Sequence, residues 1–192
     1  MPQKDCPEIE LVERLVKKEQ LAWKEFYNSY SRELTSICKR YLKGNDDIHD
    51  ILQNSFIKMF HNIHSFKYMG PGSLKAWLTR VVINEVLQYI RSFSKMQFSD
   101  DQEEIIIKED QGDQEDPELS DVPMEVLLAM IKQLPDGYRI VFNLYVFENK
   151  THKEISELLS ITEGSSASQL HKAKKKLVYQ INTFKQLKKG GL

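Results

Sequence analysis

Hydrophobic positions recur at helical spacing along almost the whole chain, and the breaks between periodic stretches mark out the elements. Pro7 suits the first turn of an opening helix, where its missing N–H would have no partner anyway. Ile9, Val12, Leu15 and Val16 give that helix an apolar face, and the polar group Lys17, Lys18, Glu19 and Gln20 ends it. Ala22, Trp23, Phe26, Tyr27 and Tyr30 start a second helix. Leu34, Ile37, Cys38, Tyr41 and Leu42 keep the same spacing up to Gly44 and Asn45, which read as a C-terminal stop. Asp46, Asp47 and Asp50 then lie in the first turns of a third helix, where the helix dipole favours negative charge. Ile48, Ile51, Leu52, Phe56, Met59, Phe60 and Ile63 form its wide apolar face. The stretch SFKYMGPG, residues 65–72, breaks the period with two glycines and a proline. Ser73 then caps a further helix with Leu74, Trp77, Leu78, Val81, Val82, Leu87 and Ile90 inward and Lys75, Arg80, Arg91 and Lys95 outside.

From Met96 to Val122 the period lapses. This stretch holds few large apolar residues and is predicted to be disordered or ordered by a partner, although Ile105, Ile106 and Ile107 could pair briefly or dock a partner. Helical spacing returns after Pro123 with Val126, Leu127, Met130, Ile131 and Leu134. Pro135 opens another helix holding Tyr138, Ile140, Val141, Leu144, Tyr145 and Val146. The pattern predicts an all-α fold: two small helical domains, residues 1–95 and 123–192, joined by a flexible linker over 96–122.

The second block closes on residues 151–177, which read as two short helices about a tight turn. Thr151 and Glu154 have the spacing of a capping box, with Ile155, Leu158 and Leu159 as a narrow apolar stripe. A turn follows at Ser160, Ile161 and Thr162. Thr162 can cap a second helix with Ala167, Leu170, Ala173 and Leu177 inside and Ser165, Ser168, Gln169, His171, Lys172, Lys175 and Lys176 outside. Short hydroxyl and amide side chains at the start of a helix can approach base edges, and lysines further along can sit on phosphates, so this outer face suits the major groove. An ordinary helical hairpin with a solvated lysine face has the same spacing.

Charge changes the picture more than composition does. With 41% hydrophobic and 29% charged residues the balance is that of a soluble globular protein. The net charge of −1 averages three unlike segments: residues 1–95 carry 15 Lys/Arg against 11 Asp/Glu, residues 96–122 carry 1 against 11, and residues 123–192 carry 11 against 6. Two mildly basic blocks thus flank an acidic linker, which points to polyanion contact by the blocks. No apolar run approaches the ~20 residues of a membrane span, and with no basic-then-apolar leader the chain is expected in the cytoplasm. Cys6 and Cys38 are too few and too isolated for a disulfide framework or a zinc site, and His61 and His64 lack a carboxylate or thiol partner, so no metal and no cofactor is expected. No nucleophile and base pair or phosphate loop stands out, so no catalytic residue is assigned. In the loop, Phe66, Lys67 and Tyr68 admit two readings: aromatics folded back onto the helices, or a stacking surface for unpaired bases beside a cation placed for phosphate.

In this order and spacing, the motifs AWKEFYNSY, DDIHDILQNSFIKMF, SLKAWLTRVVINEVLQYIR and LPDGYRIVFNLYVFENKTHKEISELLSITEGSSASQLHKAKKKL resemble the extracytoplasmic-function (ECF) sigma factors of bacterial RNA polymerase over nearly the whole chain. The resemblance implies a region-two-like first block, a region-four-like second block, and a factor that directs promoter-specific initiation without being an enzyme. By position, Asp47, Asp50, Ile51, Gln53 and Phe56 resemble the surface that docks on core RNA polymerase. The loop with Phe66, Lys67, Tyr68 and Met69 resembles the one that captures a flipped base of the minus-ten element, with Asn84 and Arg91 resembling further minus-ten contacts. Ser165, Ser166, Ser168, Gln169 and Lys172 match the helix that reads the minus-thirty-five duplex. The acidic linker resembles the segment that threads polymerase channels otherwise occupied by nucleic acid. Core polymerase, promoter DNA and an anti-sigma factor are the implied partners. Lys18 and Glu19 stand where the family often has Gly-Asp, His49 where an acid is usual, Gln88 where an Asp is common, Ser160 in place of a frequent turn glycine and Ser166 in place of a frequent apolar residue. The alternative function is a stand-alone helix-turn-helix regulator, which predicts a dimer on a palindromic site.

Overall fold

The computed structural model describes residues 7–93 and 122–190. All of their regular structure is helical, and the chain divides into two compact units, Met1–Ile90 and Arg91–Leu192. The expectations for residues 96–121, including the Ile105 to Ile107 run, lie outside the described residues, as do Cys6 and Lys95. No described helix is long and apolar enough to cross a membrane.

The first unit contains α1 (Pro7–Val16), α2 (Gln20–Tyr41), α3 (Asn45–Asn62), a 3-10 turn (Ile63–Ser65) and α4 (Ser73–Phe93), whose last three residues run past the Ile90 boundary. Its interior is built by Leu11 and Leu15 of α1, Ala22, Phe26, Leu34 and Ile37 of α2, Ile48, Ile51 and Met59 of α3, and Leu74, Leu78, Val82, Val86 and Leu87 of α4. The Cys38 thiol is in this core, and burial pushes it up to about 12, so it is not a ready nucleophile. Two details depart from the periodic reading. Leu11 is buried while Val16 is half exposed, because α1 ends at Val16 and its last turn has little to pack on. Gly44 does not terminate α2: that helix stops at Tyr41, Leu42 closes it with its N–H on the Cys38 carbonyl, and Gly44 is the extended N-cap of α3.

The second unit contains α5 (Met124–Gln133), α6 (Asp136–Val146), α7 (His152–Leu159) and α8 (Glu163–Gly190). Helix α8 runs well beyond Leu177, where the sequence pattern ended it, because Ile181 and the partly buried Phe184 continue its stripe against α5. Val122, grouped by composition with the linker, is buried in the same cluster with Met130, Ile131, Leu134, Ala173 and Leu177. Arg139, not anticipated inside, is buried. Its Nη1 donates to the Leu134 carbonyl at 3.0 Å and pairs with Asp136 at 2.9 Å, which ties the α5–α6 turn together. A buried charge is tolerated only when paired and hydrogen-bonded in this way.

Candidate nucleic-acid interface

Two surfaces carry the candidate contacts, one in each unit. In the second unit, α7 begins with the capping box anticipated from sequence. The Glu154 N–H donates to Thr151 Oγ1 at 3.2 Å and the Thr151 N–H donates back to Glu154 Oε2 at 2.9 Å. Lys150 donates to the other carboxylate oxygen at 2.7 Å, and the Lys150 and Thr151 hydrogen bonds together hold the Glu154 carboxyl down at about 2. The turn passes through Ser160, whose φ of 56° and ψ of 42° are left-handed, and its N–H closes on the Ser156 carbonyl. This is the conformation a glycine adopts without penalty, so a serine fills the turn at some strain. Thr162 Oγ1 then accepts the Ser165 N–H at 3.0 Å and caps α8.

The first turns of α8 divide sharply. Ser165, Ser168, His171 and Lys172 are exposed, whereas Ser166 is fully buried and shares a 2.9 Å hydrogen bond with His152 Nδ1. The His152 ring in turn stacks on Tyr145. The buried stripe of α8 is therefore Ser166, Leu170, Ala173, Leu177 and Ile181, and Ala167, expected inside, is exposed. Ser166 is thus corrected from a base contact to an interior bridge between α7 and α8; its hydroxyl is spent on His152 and faces no groove. Gln169 is partly buried, with its carboxamide against the start of α6. A Cβ added at Gly137 would stand 2.9 Å from Gln169 Oε1.

In the first unit, the loop between the 3-10 turn and α4 is shaped by two glycines in left-handed territory, Gly70 at φ 125° and Gly72 at φ 83°. Phe66 folds back onto Trp77, with ring centroids 5.8 Å apart. Lys67, Tyr68 and Met69 stay on the surface, Met69 at 89% exposure. Folding back onto the helices thus holds for Phe66, while Lys67, Tyr68 and Met69 stay open to solvent. Asn84 and Arg91 are exposed on α4, about two turns apart on one face. Ser73, expected to cap α4, is instead its first residue, and its hydroxyl accepts the Met69 N–H; the side chain that caps the helix is Glu8, on α1, which accepts the Gly72 N–H at 2.8 Å and also binds the Leu74 N–H. Sequence spacing carries no signal for this contact, because its partners are far apart in the chain.

On α3, Asp50 and Gln53 are exposed, and Asp47 accepts the hydrogen bond of the Tyr89 hydroxyl, which lifts that phenol to about 12. Ile51 is only 4% exposed and belongs to the core, so its place in an outer docking face is corrected. Phe56 is half-buried against Phe26 and Tyr27. The apolar groups that do reach the surface beside it are Tyr27, Ile57 and Phe60, and Phe60, expected inside, is 38% exposed against Trp23 with Lys18 Nζ over its ring. The clue in the sequence was the width of the apolar face of α3, more than one core contact can cover.

Residues 26–95 match the family described as Sigma-70 region 2, and residues 124–177 match Sigma-70, region 4. The chain is 29% identical over 154 residues to the ECF RNA polymerase sigma factor SigM of Bacillus subtilis, covering 80% of this chain and 91% of that protein. It is 25% identical over 179 residues to the ECF RNA polymerase sigma-E factor of Haemophilus influenzae, covering 89% and 93%. It is also similar to CnrH in its complex with the cytosolic domain of CnrY, at 16% identity and a TM-score of 0.47 over 90% of this chain and 96% of that one. With regions 2 and 4 matched in order along a chain whose described regular structure is all helical, and with such relatives aligned over most of its length, the protein belongs to the ECF sigma factors.

Proposed function

We propose that this chain docks on core RNA polymerase, reads a minus-thirty-five duplex with α8 and captures the melted minus-ten strand with the loop after the 3-10 turn. The observation that carries the reading is the sorting of α8. Ser165, Ser168 and Lys172 are exposed on a capped helix whose opposite side is anchored by Ser166 and Leu170. An amphipathic helix held this way presents short polar groups and a cation together, as base edges and phosphates require. Gln169 joins them if its flexible amide swings off Gly137 on binding.

In the first unit, Lys67, Tyr68 and Met69 form the surface part of the minus-ten contact, with Phe66 as the anchor of the loop and Asn84 and Arg91 along α4. Stacking a flipped base on such a surface offsets an unpairing cost of a few kcal/mol, so opening the duplex is differential binding and the polymerase supplies the reaction. Asp47, Asp50, Gln53 and Phe56 form the docking face, to which the exposed Tyr27, Ile57 and Phe60 add apolar area. An anti-sigma factor that covers this face, with the chain held in the cytoplasm until release, completes the reading. In it the acidic linker threads the polymerase between the two domains.

The test is run-off transcription with purified core polymerase on promoters recovered by sequencing DNA that co-purifies with the protein. We expect transcripts that need both components. A dimer protecting a palindrome, with no transcript from any recovered promoter, would instead identify a stand-alone regulator.

A further inference from the structure

We propose that Glu8 is a positioning residue for the minus-ten loop, holding it in the shape that receives an unpaired base. This rests on the reading of that loop as the melted-strand contact. Glu8 lies on α1, outside the residues matched to either sigma-70 region. Its carboxylate nonetheless takes up the start of α4. Oε2 accepts the Gly72 N–H at 2.8 Å, and Oε1 accepts the Leu74 N–H and the Ser73 hydroxyl, the latter at 3.4 Å. Ser73 Oγ also accepts the Met69 N–H at 3.2 Å, so the exposed end of the loop is linked to Glu8 through one hydroxyl.

The first amides of a helix have no partner within it, and a carboxylate satisfies them while favouring the positive end of the dipole. Here the carboxylate comes from another helix, so it does more than cap. It fixes where the Gly70 to Ser73 turn sits relative to α1, at a point where Gly70 and Gly72, both at positive φ and with nothing within 4 Å of an added Cβ, would otherwise leave the backbone loose. A second carboxylate tie acts at the same end of α4, where Glu33 of α2 pairs with Lys75. Tyr30 lies close by, its phenol raised by burial and then by the Glu8 charge. Without Glu8 the loop keeps its residues and its exposure but samples more conformations, and the cost falls on capture of a base.

The experiment compares the full chain with Glu8→Ala, Glu8→Gln and Glu8→Asp, each assembled with core polymerase. A labelled single-stranded oligonucleotide of the minus-ten non-template strand is titrated, permanganate reactivity is read on duplex promoter, and core binding is measured separately. For Glu8→Ala we expect roughly a five- to tenfold loss of oligonucleotide affinity, the size of a lost cap, and a weaker preference among bases at the flipped position. Core affinity should stay within about twofold, and Glu8→Asp should be intermediate. Should Glu8→Ala not fold, Glu8→Gln carries the comparison, since it keeps the size and loses one acceptor. Equal oligonucleotide affinity and base preference in all four proteins would overturn the proposal, and so would parallel loss of core binding, which makes Glu8 only a support of the fold. A wild-type holoenzyme that neither binds the oligonucleotide nor melts the promoter would overturn the underlying reading of the loop instead.

Discussion

Ser160 and Ser166 show how much a single position decides. The left-handed backbone at Ser160 costs an L-residue about 1 kcal/mol that glycine avoids, less what glycine loses in unfolded-chain entropy. Ser160→Gly should therefore stabilise the second unit by roughly 0.5 kcal/mol or more, seen as a higher thermal midpoint with unchanged DNA affinity; a lower midpoint would contradict the strain. Ser166→Ala removes the buried bond to His152 and should cost about 1 kcal/mol of stability without altering minus-thirty-five base preference. Lys172→Ala should do the reverse: near-neutral stability, weaker DNA binding on all sequences, and a salt dependence shallower by about one unit of log–log slope. If Lys172→Ala leaves the slope unchanged, Lys172 is not on a phosphate. The outward position of Lys172 follows from helical spacing, but the choice between Ser166 and Ala167 for the inner stripe does not. A serine enters a core only where something bonds its hydroxyl, and His152 is supplied by another helix.

At the scale of elements, α7 is set by its own first turn. Thr151→Ala removes the side-chain half of the capping box and should cost about 1 kcal/mol, measurable as a lower denaturation midpoint of the second unit. Glu154 is held at about 2 against an ordinary 4.5, so the folded state favours its ionised form. The stability it adds is fully present above about 4.5 and is lost as the pH falls toward 2. An NMR titration of the Glu154 carboxyl should show the depressed value in the wild type and a rise toward 4.5 in Lys150→Ala; no change on that substitution would remove Lys150 as its main cause. This element was legible because its signals are all local. The start of α4 was only half legible. The place where α4 begins was visible at Ser73, but Ser73 is its first residue rather than its cap, and Glu8, which takes two of the first amides, joins the helix only when α1 folds alongside it. Gly44 is a similar case: a glycine after an apolar run and before acids fits the end of one helix or the start of the next, and the backbone at φ −74° chose the start.

Across the whole molecule, each unit buries apolar side chains of its own, among them Phe26, Leu34 and Leu78 in the first and Leu134, Leu144 and Ile155 in the second. Leu144→Ala should cost about 3 kcal/mol through the cavity it leaves and lower the unfolding transition of the second unit alone in calorimetry. A matching fall of the first unit would mean that the two unfold as one. Spacing along the sequence was enough to read the helical fold of the described residues, where most helices run, and a capped pair of helices with a polar and basic outer face in the second unit. Those properties depend on spacing within a few turns, and the order of motifs was enough for the family. Tertiary packing was needed to show that Ser166 is interior, that Phe60 and Ile57 reach the surface, that Phe66 folds back onto Trp77 while Met69 is presented, and that Glu8 reaches the loop. Each of these depends on groups brought together from distant parts of the chain. A periodic pattern reports that a face is apolar; which partner covers it, and how far, is settled by packing.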